Sequence, residues 1–336
     1  MKLLIFILFN TVIYANASVI PIIFEITHPE TEHVIYTLGT YHGGDKVQLK
    51  YFPDYIQKLP ILIDRLFVER TIVMGFEQQD LIRGFLAIQE AEVVKLEIIK
   101  SLLNQFNQNF NALSNIFRNG NQSETLALDH ELFLLSLYTG KPTHALDTDI
   151  ISGNNKFAFN LDNLIKSTPQ PLKWLIRKNK DRLSRKILPN FYKSLCLALL
   201  KEYRNGNLDK LSKKSNDIEE FIKFLKLDQA ADDAQSNKNM PIRESKWIDI
   251  ILSELEKVDP NKPHTIMVAA GALHFITGEN RLLTMFKEKG WIVKQLNPNN
   301  PNDLQNLQNM IDEKQSAILS NSDIDEVETS FRLEIE

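Results

Sequence analysis

The chain has 336 residues, enough for one large domain or two ordinary ones, and its 43% hydrophobic and 24% charged content is that of a globular protein with a substantial core. A net charge of −4 gives no electrostatic argument for nucleic acid or anionic lipid as a partner. Twelve glycines and thirteen prolines are too few for a fibrous or low-complexity chain.

The first segment reads as an export signal. Met1-Lys2 supplies a short positive start, Leu3 to Val12 is nearly all apolar, and Ala15-Asn16-Ala17 has the small-x-small pattern of a cleavage site. An uncleaved anchor or a buried first strand is the alternative, but the apolar run is broken at Asn10-Thr11 and falls below the roughly 20 residues that span a bilayer. The expectation is a signal peptide over 1–17 and a secreted or periplasmic protein with no transmembrane segment after its removal. Cys196 is the only cysteine, so no internal disulfide forms, and its apolar setting predicts a buried thiol.

Strands are predicted early at Ile22–Ile26, Val34–Leu38 and Thr71–Phe76, then at Leu126–Leu128 and Thr143–Leu146, and late at Thr265–Ala270 and Trp291–Leu296. Helical patterns cover Tyr55–Phe67, Leu81–Phe117 and Glu131–Tyr138, the last stopped by Gly140-Lys141-Pro142. A Lys-rich helical block runs from about Leu161 to Leu227, and its lysines read as a solvated face because acidic residues are interspersed. Gln229–Met240 reads as a loop. Helices follow at Pro241–Leu255, with Trp247, Ile250, Ile251 and Leu255 on one face, at Glu279–Lys289, and after the breaker run Asn297–Asn302 at Leu304–Ile311.

Two tetrads carry the chemistry. Val34–Leu38 runs into Gly39-Thr40-Tyr41-His42, and Thr265–Ala270 runs into Gly271-Ala272-Leu273-His274. A glycine closing a strand is expected to allow a sharp turn that presents the following His at the sheet rim, where α/β proteins build ligand sites. The paired units suggest a weak internal duplication. Glu77 closes the apolar run Thr71–Phe76, so His42, His274 and Glu77 form a candidate metal set that leaves a coordination position open for water. Glu69, in Phe67-Val68-Glu69-Arg70, is the rival carboxylate and reads as the end of an amphipathic helix. Arg243 heads a helix, either as a surface salt-bridge partner or as a fork for a substrate carboxylate or phosphate.

His28 and His33 are expected to be exposed, His130 to precede a helix, His144 to lie in a strand and His264 to begin one. A His-Glu-x-x-His zinc motif, a Gly-x-Ser-x-Gly elbow and a P-loop are all missing from the sequence. Asn121-Gln122-Ser123 fits a glycosylation sequon, too common a pattern to weigh.

The stretches Tyr36–His42, Val73–Glu77 and Val268–Gly278, with the continuation through Leu283 and Lys289–Val293, resemble the TraB/GumN family, also called TraB/PrgY and related to the TIKI proteins. Tyr138–Thr148 is similar to that family's Gly-Lys-Pro-Val-x-x-Leu-Glu-Thr segment, and the resemblance spans roughly residues 20–298. It implies a metal-dependent hydrolase, metallopeptidase-like, with His42 and His274 as ligands and Glu77 as ligand or base. It further implies Gly39 and Gly271 as supporting turns, and Gly278 as the opening of the helix beside His274. Manganese, cobalt or zinc would be the cofactor and a peptide or protein the substrate. Three positions depart from the family: Asp147 stands where it carries Glu, Arg243-Glu244 where it carries Arg-Asn, and Glu77 lacks a tight Glu-x-Asp.

The fold expected is α/β, with a central mixed sheet built from N- and C-terminal strands and a large helical insertion at about 150–240. That domain would run over 18–312, followed by an acidic, partly disordered tail over 313–336. Capture of a peptide or small ligand without turnover in the same cleft is the alternative function, and a haem- or siderophore-handling role rests on fold analogy alone.

Overall fold

The computed structural model describes residues 19–41, 47–69, 128–147, 168–183, 187–224, 240–276 and 281–321, with isolated positions between 99 and 110 and between 161 and 166. The fold is α/β. Six strands form one mixed sheet: β1 (Ile23–Thr27), β2 (His33–Thr40), β3 (Arg65–Val68), β4 (Thr143–Ala145), β5 (His264–Gly271) and β6 (Ile292–Leu296), in the order β4-β3-β5-β2-β1-β6. Strands β4, β3, β5 and β2 run parallel, while β1 pairs antiparallel with both β2 and β6. N-terminal and C-terminal strands thus interleave in one sheet. Helix dominates the segment between β4 and β5.

Strands β2 and β5 are buried almost without interruption, the pattern of a sheet covered on both faces. Their sequences, His-Val-Ile-Tyr-Thr-Leu-Gly-Thr and His-Thr-Ile-Met-Val-Ala-Ala-Gly, are rich in β-branched and apolar residues that fit that position. They pair in register from His33 opposite His264 to Thr40 opposite Gly271. The two Gly-x-x-His tetrads therefore begin side by side at the carboxyl edge of the sheet. His33, expected on the surface, is buried, because it opens β2 and sits against the His264 ring at 6.1 Å.

Helix α1 (Asp54–Leu62) ends earlier than its periodicity suggests. At Ile63 the chain turns extended, and Asp64 binds the Thr265 backbone twice: its N–H donates to the Thr265 carbonyl, and its Oδ2 accepts the Thr265 N–H at 2.7 Å. Pairing with β5 then turns Arg65–Val68 into β3, with Leu66, Phe67 and Val68 fully buried, in place of further helical turns. The predicted helix over Tyr55–Phe67 is thus helix only to Leu62 and strand from Arg65. Glu69 follows a strand, not a helix.

Leu128, predicted as strand, opens helix α2 (Leu128–Tyr138), which therefore also contains His130. Gly140 at φ +67 ends it, with Lys141 N–H closing back on the Ser136 carbonyl at 2.8 Å. Helices α3 (Gln170–Lys178), α4 (Leu188–Arg204) and α5 (Leu208–Phe224) make up the insertion, α4 packing on α5. Helix α6 (Met240–Leu255) packs on α7 (Leu282–Glu288), and α8 (Pro301–Asn321) packs on α1. Helix α8 runs past the predicted end at Ile311 and takes in the start of the expected tail.

One large core joins the sheet to these helices, and a small separate cluster built on Leu161 and Ile165 lies under α3 and the start of α4. Cys196, the single cysteine of the sequence, is buried. The predicted strand Thr71–Phe76 lies outside the described residues, as do most of Leu81–Phe117 and nearly all of Gln229–Met240.

Candidate functional site

At the carboxyl edge of the parallel strands, four of them deliver polar groups to one place. Strand β3 delivers Glu69, whose backbone N–H bonds the Ala269 carbonyl of β5 at 3.0 Å. Strand β4 delivers Asp147, whose N–H bonds the Glu69 carbonyl at 2.9 Å. Strand β5 ends at Gly271 and passes into a 3-10 turn, Ala272–Phe275, that carries His274. Strand β2 ends next to it at Gly39 and Thr40.

Helix α6 closes the site with Arg243, Glu244 and Trp247. Arg243 and Trp247 are four residues apart and so share a helix face. The Arg243 fork donates to both carboxylates, through Nη2 to Glu69 Oε1 at 2.9 Å and through Nε and Nη2 to Asp147. Trp247 Nε1 donates to Asp147 Oδ1 at 2.9 Å. The Trp247 ring lies 4.5 Å from the His274 ring, and the Arg243 guanidinium lies 5.1 Å from the Trp247 ring centroid. Burial pulls the Arg243 pKa down, but the hydrogen bonds and charge of Asp147, then those of Glu69, outweigh it and leave the group above its ordinary value. Arg243 is part of the site's interior wiring, neither a surface salt bridge nor an open fork.

His274 is held from one side. Its Nδ1 lies 2.8 Å from Glu244 Oε1, and Glu244 is completely buried. That carboxylate also accepts from Arg281 Nε at 3.0 Å, from Arg281 Nη2 at 2.9 Å and from the Leu282 N–H at 2.8 Å. A carboxylate in this position accepts a hydrogen bond from Nδ1–H, the tautomer in which Nε2 carries the lone pair. Nε2 lies 3.7 Å from Glu69 Oε2, too far for a hydrogen bond. Glu69 Oε2 accepts the Gly271 N–H at 3.1 Å.

Neither site glycine has an unusual backbone, and only Gly39 is held to its size by close packing. Gly39 lies inside β2, and Gly271 has φ −50 and ψ 130, so neither makes the expected sharp turn. A Cβ on Gly39 would stand 3.0 Å from Ala272 Cβ and 3.1 Å from Ala272 Cα. One on Gly271 would stand 3.4 Å from Glu69 Oε2. The insertion supports the same edge: Tyr203 of α4 donates to the Gly39 carbonyl at 2.8 Å, and Tyr41 donates to the Cys196 carbonyl at 2.6 Å.

Of the residues singled out from the sequence, the structure brings together His274, Arg243, Gly271, Gly39 and the rival carboxylate Glu69. His42, Glu77 and Gly278 lie outside the described residues. The spacing of Glu69 Oε2 and His274 Nε2 is a few tenths of an ångström wider than two donors about 2.1 Å from a shared ion, so the pair fits a metal edge. Among the described residues no group of three or more His, Cys, Asp or Glu side chains is set to hold a metal ion. Sequence reading passed over Glu244 and Arg281 as site residues and treated Trp247 as core. The spacing of Arg243 and Trp247 was the available signal. Comparison of the chain with protein-family models, with curated proteins and with solved structures returned no match.

Proposed function

We propose that the chain is a metal-dependent hydrolase, metallopeptidase-like, with His42, His274 and a strand-terminal carboxylate as the ligand set. Glu69 is the better carboxylate because it faces His274, and Glu77 is the alternative to it. The observation that carries the reading is the buried Glu244–His274 pair: a carboxylate fixing one imidazole nitrogen so that the other faces a second carboxylate is the outer-shell arrangement that metal-binding histidines use. A divalent cation, when bound, supplies Lewis acidity that polarises a carbonyl and makes water nucleophilic near neutral pH. Glu244 fixes the tautomer and orientation of His274. Gly271 N–H and Arg243 fix the orientation of Glu69. Manganese, cobalt and zinc all suit such donors, and the set does not choose among them.

His274→Ala and His42→Ala should abolish both metal content, measured by plasma mass spectrometry, and peptide cleavage, with the far-UV circular dichroism unchanged. Glu244→Gln keeps an acceptor for Nδ1 but removes the charge, so metal affinity should fall by about 10–100-fold. Wild-type protein that takes up no divalent metal under any loading condition would overturn the proposal. Capture without turnover is the second reading. It draws on Glu69 being hydrogen-bonded at both oxygens, which makes it a poorer base. Mass spectrometry of a peptide library incubated with metal or with EDTA separates the two: new termini that need metal mean hydrolysis, and retained intact peptides mean capture.

A further inference from the structure

The interspersed acids expected through the Lys-rich block are not evenly spread. Residues 166–193 hold nine lysines and arginines against the single carboxylate of Asp181, in a chain of net charge −4. Apart from Asp162 just before it, the other acids of the Lys-rich block come later, at Glu202, Asp209, Asp217, Glu219 and Glu220. A near-neutral total thus conceals a strongly cationic segment.

The same segment holds most of the large exposed hydrophobic side chains among the described residues. Leu172, Trp174, Leu175, Ile187 and Phe191 are 54%, 63%, 50%, 44% and 39% exposed, and only Ile242 and Ile292 join them as large exposed hydrophobics among the described residues. Leu172 and Leu175 are three apart on α3, so they share a side of it. Ile187 and Phe191 are four apart at the start of α4. Ile176 turns the other way, into the small cluster of Leu161 and Ile165, where it meets Leu183 and Leu188. That cluster ties α3 to the start of α4 and leaves their outer side chains uncovered. Lys178 Nζ lies 4.8 Å from the centroid of the Trp174 ring.

We propose that α3 and the start of α4, from Ile187, form a docking surface for an anionic phospholipid bilayer and lie in its interface. Aliphatic and aromatic side chains enter the boundary between headgroups and acyl chains, while lysines and arginines reach the lipid phosphates. The charge argues against the other occupants. Protein interfaces are depleted in lysine at their cores. Single-stranded nucleic acid stacks on aromatic rings and has no use for exposed leucine and isoleucine. Among the described residues no helix is long and apolar enough to cross a membrane, so this attachment is to one surface.

Flotation of the full chain with phosphatidylcholine vesicles, with or without about 30% phosphatidylserine, tests the proposal. The protein should float with the anionic vesicles alone and be released at high salt. Trp174 emission should shift to the blue on binding, since Trp247 and Trp291 are buried in the core. Lys173→Gln and Arg177→Gln should each weaken binding about fivefold. Trp174→Ser with Leu175→Ser should weaken it at least about tenfold, with the circular dichroism unchanged because both side chains are exposed. No flotation with anionic vesicles would overturn the proposal. So would binding to a single-stranded oligonucleotide that displaces the vesicles and survives the Leu175 change, which would reassign the patch to nucleic acid.

Discussion

Glu131 is a carboxylate buried on α2 with the Leu49 N–H as its donor at 2.8 Å. Burial pushes its pKa up to about 7, against smaller lowering effects from that N–H and from Lys50. A carboxyl whose folded pKa lies above its unfolded value holds its proton more tightly in the folded state. Its contribution to stability is therefore present below about pH 4.5 and declines as pH rises towards about 7. The loss is on the order of 3 kcal/mol at about 1.4 kcal/mol per pKa unit. Glu131→Gln keeps an acceptor for Leu49 and has no proton to lose. Urea unfolding of the two proteins at pH 5 and pH 8 should show the variant gaining on the wild type at the higher pH. Equal shifts at both pH values would show that Glu131 does not titrate in this range.

The choice between Glu77 and Glu69 is also made at this scale. Glu77 follows six residues of apolar strand pattern, whereas Glu69 follows only Leu66-Phe67-Val68. Three residues cannot establish a period of two, and they continue the helical pattern of α1 without a break. What separates them from α1 is the bonding of Asp64 to Thr265, a contact between residues far apart in sequence. Local pattern could not reveal it.

Elements end where they do for comparable reasons. Strands β1, β2, β5 and β6 were legible because their apolar runs are long or bounded by breakers. The tetrads were legible as motifs, but the role of their glycines was not, because only the packed structure brings Ala272 against Gly39. Gly39→Ala should therefore destabilise by about 1–3 kcal/mol, the range for forcing one extra carbon into a packed core. A calorimetric scan would read this as a lower Tm. The displaced backbone is the turn that carries His274, so metal uptake should fall in the same variant. An unchanged Tm would mean that the turn gives way at no cost. The role of Glu244 escaped sequence reading because a fully buried acid on a helix looks like any surface acid until its Arg281 partner is placed beside it.

Across the molecule, stability is unevenly spread. Hydrogen exchange should be slowest in β2 and β5, where the sheet is buried on both faces, and fastest in α3 and the first turn of α4, which rest on the small Leu161–Ile165 cluster. Mass-spectrometric exchange on the full chain would measure this, and equal protection in both regions would contradict it. The α/β class and the interleaving of the two ends were readable from where strand-like runs fall along the chain. The cationic apolar face of the insertion was not, because net charge averages over the whole length.

Pairing β2 with β5 also has a consequence for biosynthesis. As the chain leaves the ribosome, β2 emerges early with an open edge, and its parallel partner appears only after the whole insertion has been translated. Strand β3 waits for the same partner, since β5 lies between β2 and β3. The sheet therefore closes late, by a contact of very high sequence separation, and such contacts form slowly and leave strand edges open to aggregation meanwhile. Nascent chains halted before His264 should need a holding chaperone to stay soluble, and release of the last segment should be the event that lets them go.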